Sequence, residues 1–75
     1  MKLGNIAKRA LYKELVSSIG YYDARRILRL IEEDIPENND LESLSLLLEE
    51  RGLNGRYRQY VIEAFKNLGL LSKKP

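Results

Sequence analysis

The sequence predicts an all-α fold, a compact antiparallel bundle of five or six helices in a single domain covering residues 1–75. Three observations predict it. Apolar residues recur at helical spacing in segment after segment. Gly20, Gly52 and Gly69 fall where those segments end, and glycine stops a helix without a Cβ penalty. The leucine-rich stretch from Leu41 to Leu53 carries Leu44, Leu47 and Leu48 at i, i+3, i+4, with Leu41 one turn earlier and Leu46 off the stripe. A helix apolar on more than one side belongs in the middle of a bundle.

The first segment spans about residues 3–19. Leu3, Ala7, Ala10, Leu11, Leu15 and Ile19 give one apolar face, widened by Ile6 and Val16, and Lys2, Lys8, Arg9 and Lys13 occupy the rest. Such a basic amphipathic helix can lie on an anionic membrane. Its apolar face is rich in alanine and has no Trp or Phe, so the bundle core is the expected destination and no membrane is expected as a partner.

The second segment opens after Gly20, with Tyr22 or Asp23 as its cap. Ala24, Ile27, Leu28, Ile31 and Ile35 form its buried row, and Pro36 closes it, because the residue before a proline avoids the helical region. Its polar face is unusual. Arg25, Arg26 and Arg29 fall toward the positive end of the helix dipole, and Glu32, Glu33 and Asp34 toward the negative end. Each such placement costs about a few tenths of a kcal/mol. Pairs Arg29–Glu32 and Arg29–Glu33 would recover part of that. Local stability does not explain this face, and interaction with a partner is the explanation expected for it. Leu30 lies among the charges as an expected exposed apolar contact.

Residues 37–40 form a polar connector with room for at most one short helical turn. Asp40 is placed to cap the leucine helix, and Gly52 to stop it. Residues 53–55 make a tight turn. The last long helix spans about residues 56–68, with Tyr57, Tyr60, Val61, Ala64, Phe65 and Leu68 on its apolar face. Gly69 ends it, and Leu70 stands where a Schellman motif makes its hydrophobic contact. Ile27, Ile31, Leu44, Leu47, Leu48, Val61 and Phe65 are the expected shared core.

Composition narrows the function. There is no cysteine and no histidine. That excludes a disulfide framework and thiolate or imidazole zinc sites, and removes the usual nucleophile and general base. The glycines form no phosphate loop. Glu32, Glu33, Asp34 and Glu37 lack the spacing of a calcium loop. No enzyme activity, metal, cofactor or small-molecule substrate is expected. No apolar run reaches the ~18 residues of a membrane span, and the N-terminus is too polar for a signal peptide, so a cytoplasmic location is expected.

The net charge is only +2, but it is segregated. Lys2, Lys8, Arg9 and Lys13 precede any acid, residues 32–50 carry acids and no base, and residues from Arg51 onward are again basic apart from Glu63. Complementary patches of this kind suit docking onto a protein partner or a like module. The expected interaction residues are Arg25, Arg26, Arg29, Leu30, Glu32, Glu33, Glu49 and Glu50.

Two resemblances bear on that expectation. Residues 15–36, including the closing Ile-Pro, look like the first two helices of a death-effector domain. Residues 44–53 look like its fourth helix, and residues 57–71 are similar to its fifth and sixth. The third helix would shrink to residues 37–40, and the family's Arg-x-Asp-Leu signature falls on residues 67–70 without its charges. The stretch from Asp23 to Phe65 also resembles the effector-associated adaptor domains of prokaryotic conflict systems. The resemblance implies a death-fold-like bundle, like-with-like association and no catalysis. The expected function is therefore a non-catalytic adaptor or assembly module.

The alternative is a small helix-turn-helix DNA-binding protein. Residues 41–68 have that order of elements, and residues 66–73 read like the end of a winged-helix recognition helix. Arg56, Arg58, Gln59, Lys66, Lys73 and Lys74 would then face nucleic acid. The few residues after Leu71 leave no room for a two-stranded wing, and Glu49 and Glu50 fall close to that face.

Overall fold

The computed structural model describes residues 2–72, and helices form over four of the periodic segments: α1 (Asn5–Ile19), α2 (Tyr21–Ile31), α3 (Leu41–Glu50) and α4 (Gly55–Asn67). Gly20 alone separates α1 from α2. Its φ of +91° lets the chain reverse, and its N–H closes α1 on the Val16 carbonyl at 2.9 Å. Gly20, and not Tyr22 or Asp23, therefore flanks α2, and Asp23 sits in the first turn.

The expected ending of α2 is corrected. The helix stops at Ile31, four residues before Ile35. Pro36 keeps Ile35 out of the helical region. The Asp34 N–H closes a tight turn on the Ile31 carbonyl at 2.9 Å. Ile35 is still fully buried, because that turn brings it back to the core.

Residues 35–39 run without helix between the two ends of the described chain, bending at Glu37 and Asn38. The Leu3 N–H donates to the Ile35 carbonyl at 2.9 Å, and Lys2 bridges Pro36 in antiparallel sense. On the other side Asn39 bridges Leu71 in parallel sense, and the Asn39 carbonyl accepts from the Ser72 N–H and hydroxyl. Asn39 is itself buried, and its side-chain amide donates to the Pro36 carbonyl at 2.8 Å. This segment uses the backbone that a third short helix would have needed, and residues 70–72 pair with it instead of starting a last helix. The expectation of a five- or six-helix, death-fold-like bundle is therefore overturned. Among the described residues there are four helices, and a death fold requires six.

The caps of α3 and α4 follow the sequence closely. The Asp40 carboxylate accepts from the Ser43 N–H at 2.7 Å. After α3, the Leu53 N–H reaches the Leu48 carbonyl at 2.9 Å and the Gly52 N–H reaches Glu49 at 3.0 Å. After α4, Leu70 bonds to Phe65 at 2.9 Å and Gly69 to Lys66 at 3.1 Å. Both ends are Schellman motifs, and both central glycines have positive φ.

The core gathers Leu11 and Leu15 of α1, Ala24, Ile27 and Ile31 of α2, Leu44 and Leu48 of α3, and Val61, Ile62, Ala64 and Phe65 of α4. Leu47 is only partly buried against it. The middle is shared by α1, which packs on both α2 and α4, and α4, which packs on both α1 and α3, whereas α3 packs chiefly on α4. The leucine helix is thus peripheral, not central. Leu41 and Leu46 remain 48% and 56% exposed. Ile6, expected to widen the apolar face of the first helix, is 89% exposed.

The packing separates two leucines of one helix. Leu48→Ala empties a fully buried site and should cost about 2–5 kcal/mol. Leu46→Ala should stay within about 0.5 kcal/mol of the parent. Urea denaturation of both variants checks the pair, and equal losses would contradict the placement of α3.

Candidate functional site

One side of α2 builds the core, and the other stands open. Ala24, Ile27 and Ile31 are buried. Tyr22, Arg25, Arg26, Arg29 and Leu30 line a shallow recess of ≈ 390 Å³ on the outer side. Positions 22, 25, 26 and 29 follow i, i+3, i+4, i+7, so a single helix face carries them.

Aromatic neighbours hold the first part of this face in place. The Tyr12 and Tyr21 rings meet edge to face at 6.3 Å, and Tyr21 and Tyr22 do so at 5.4 Å. Arg25 donates to the Tyr21 hydroxyl at 2.7 Å and lies 5.8 Å from its ring centre. Arg26 pairs with Asp23 at 3.2 Å and lies 5.7 Å from the Tyr57 ring centre. The Tyr57 hydroxyl in turn donates to Asp23 at 3.4 Å. Each cation–π contact at an exposed site is worth about 0.5–1 kcal/mol, enough to bias a long side chain toward one geometry.

Arg29 differs from both. It has no ion-pair partner among the described residues. The expected pairs Arg29–Glu32 and Arg29–Glu33 are not formed, because the helix ends at Ile31 and Glu33 no longer stands one turn above Arg29. The shorter helix also places Arg29 in its last turn, where a cation suits the dipole. The expected dipole conflict is thus relieved at Arg29, while Glu32 at the C-cap keeps an acid at the negative end.

The acids lie elsewhere. Glu32 is half-buried and Glu33, Glu49 and Glu50 are exposed, at the C-terminal ends of α2 and α3. Arg51 ties those two ends together: its Nε donates to the Leu30 carbonyl at 3.2 Å, and its guanidinium pairs with Asp34. Glu49 faces Arg58 at 3.6 Å. The structure therefore gathers Arg25, Arg26, Arg29 and Leu30 into one recess and keeps the four predicted acids out of it. Tyr22 was missing from the predicted set, although its position on the same face was readable.

The residues of the nucleic-acid alternative do not share one clean surface. Arg58 is engaged with Glu49, and Gln59 donates to Glu63 at 3.2 Å. Arg56 lines a separate cleft with Ser18, Asp23, Asn54, Tyr57 and Tyr60. Lys66 lies roughly 15 Å further along the helix axis. Glu63 occupies the same exposed side as Arg56, Gln59 and Lys66. Lys73 and Lys74 lie outside the described residues.

No group of three or more His, Cys, Asp or Glu among the described residues could hold a metal ion. No helix among them is long and apolar enough to cross a membrane. Compared with known proteins, the chain matches no family model, no curated protein and no solved structure.

The contacts of Arg51 and of the α2 arginines predict different costs. Arg51→Ala removes a partly exposed ion pair and a carbonyl contact, and should lose about 1 kcal/mol of stability. Arg25→Glu with Arg29→Glu should change stability by no more than about 1 kcal/mol, since neither side chain supports the core. Chemical denaturation measures both.

Proposed function

We propose that the chain is a non-catalytic protein-interaction module whose outer α2 face receives an acidic partner surface. The observation that carries this reading is the open recess itself. Three arginines stand between Tyr22, 84% exposed, and Leu30, 41% exposed. Arginine and tyrosine are the side chains that dominate interface energetics. Arg25 and Arg26 are already oriented by Tyr21 and Tyr57, so less side-chain entropy is lost when a partner arrives. Arg29 brings a charge that no acid of the described chain neutralises. A single exposed pair contributes only about 0–1 kcal/mol, so the three arginines must act together with their apolar flanks. Charge segregation along the chain supports the reading independently. The DNA alternative has weaker support, because Glu49 and Glu63 stand among the basic side chains of α4.

The test is a titration of the isotope-labelled protein with a synthetic helical peptide that places glutamates around exposed leucines. Amide shifts should concentrate in residues 22–30 and should vanish in Arg25→Glu with Arg29→Glu. A parallel titration with duplex DNA near physiological salt, about 0.15 M, should leave residues 56–66 unmoved. Peptide shifts that ignore the arginine substitutions, or tight DNA binding through residues 56–66, would overturn the reading.

A further inference from the structure

The outer face of α3 is the chemical counterpart of the α2 recess. Leu46 projects from it 56% exposed. Glu42, Glu49 and Glu50 surround it at i−4, i+3 and i+4, all exposed. The helix carries no lysine or arginine anywhere. Glu50 has no ion-pair partner among the described residues, and Glu49 meets only Arg58, at 3.6 Å. So one helix presents a leucine ringed by carboxylates, and another presents a concave patch of arginines bounded by Tyr22 and Leu30. The core explains neither arrangement. Leu46 contributes nothing to it, and α3 is anchored by Leu44 and Leu48 on its other side.

We propose that the partner surface for α2 is the outer face of α3 on a second copy of this chain. The inference rests on the interaction reading above and names its partner. Leu46 enters the recess between Tyr22 and Leu30, and the carboxylates around it meet Arg25 and Arg29. Arg29 gains there the acid it lacks among the described residues of its own chain. Water excluded by the apolar flanks strengthens the charge pairs relative to their solvated state. The two faces are different surfaces of one molecule, so the contact is heterologous.

Sedimentation of three proteins and one mixture tests it. The first variant is Arg25→Glu with Arg29→Glu. The second is Leu46→Lys with Glu50→Lys, both at exposed positions, the new Lys at residue 50 lying near the C-terminal end of α3, where a cation suits the dipole. Wild type should gain mass as concentration rises toward about 1 mM. Each variant should associate about a hundredfold more weakly, since like charges then face each other. Mixing the two variants should restore association, because the untouched α2 face of the second variant then meets the untouched α3 face of the first. Thermal melts confirm that each variant is folded, and Leu46→Lys alone serves if the double variant is not. A wild type that stays monomeric throughout, or a mixture that recovers nothing, would overturn the second-copy assignment. If that monomer still binds the acidic peptide through residues 22–30, the α2 reading stands and only its partner was wrong. If it binds neither, both fall.

Discussion

The stretch from Ile35 to Asn39 is held out of helix, bent at Glu37 and Asn38, and both ends of the described chain lean on it. Pro36 removes a backbone donor and fixes its own φ. Asn39 is the one buried polar residue among those described, and its amide and carbonyl are both engaged, with Pro36 and Ser72. Leu3 pairs on one side and Leu71 on the other. A small domain has little apolar burial to spare, so satisfying this backbone without helix matters. Unpaired, its buried polar groups would cost about 1–3 kcal/mol each.

That constraint has consequences at a distance. Because the chain turns at residues 32–34 into this non-helical segment, α2 ends at Ile31, and Arg29 becomes a last-turn cation without a carboxylate above it. The segment crosses from α2 to α3 without a helix of its own, α1 and α4 share the centre, and α3 is left at the periphery on α4. Both α2 and α3 then keep an outer face clear of the core. One is basic and concave, the other acidic and carries a projecting leucine. The proposed interaction is therefore a consequence of the helix count as much as of the charges.

Much of this was legible in the residues. The four long periodic segments, the Asp40 cap, the Gly52 and Gly69 stops and most of the core followed from spacing and cap chemistry, which act over a few residues. Ile27, Ile31, Leu44, Leu48, Val61 and Phe65 are buried as their pattern required. What spacing could not show was which helix sits in the middle. Leu46 looked like a second apolar side because periodicity records composition on a face, not what covers it. Ile35 fitted the α2 row and is buried, yet it reaches the core from outside the helix, after a turn. The bridges of Lys2 with Pro36 and Asn39 with Leu71 join residues far apart in sequence, and no local pattern encodes them. At the candidate site the arginines were readable as a cluster. Of their aromatic supports, Tyr21 lies one turn before Arg25 on the same helix, whereas Tyr57 comes from α4 and Tyr12 from α1, and no local pattern shows them.

Backbone chemical shifts across residues 32–40, combined with amide hydrogen exchange at Leu3, test the non-helical segment most directly. Non-helical shifts from residue 35 to 39, a helical run ending at Ile31 and slow exchange of the Leu3 amide are the predicted result. A continuous helical run through residues 32–35, a separate helical turn at residues 36–40, or a Leu3 amide that exchanges as fast as free peptide would contradict the four-helix account.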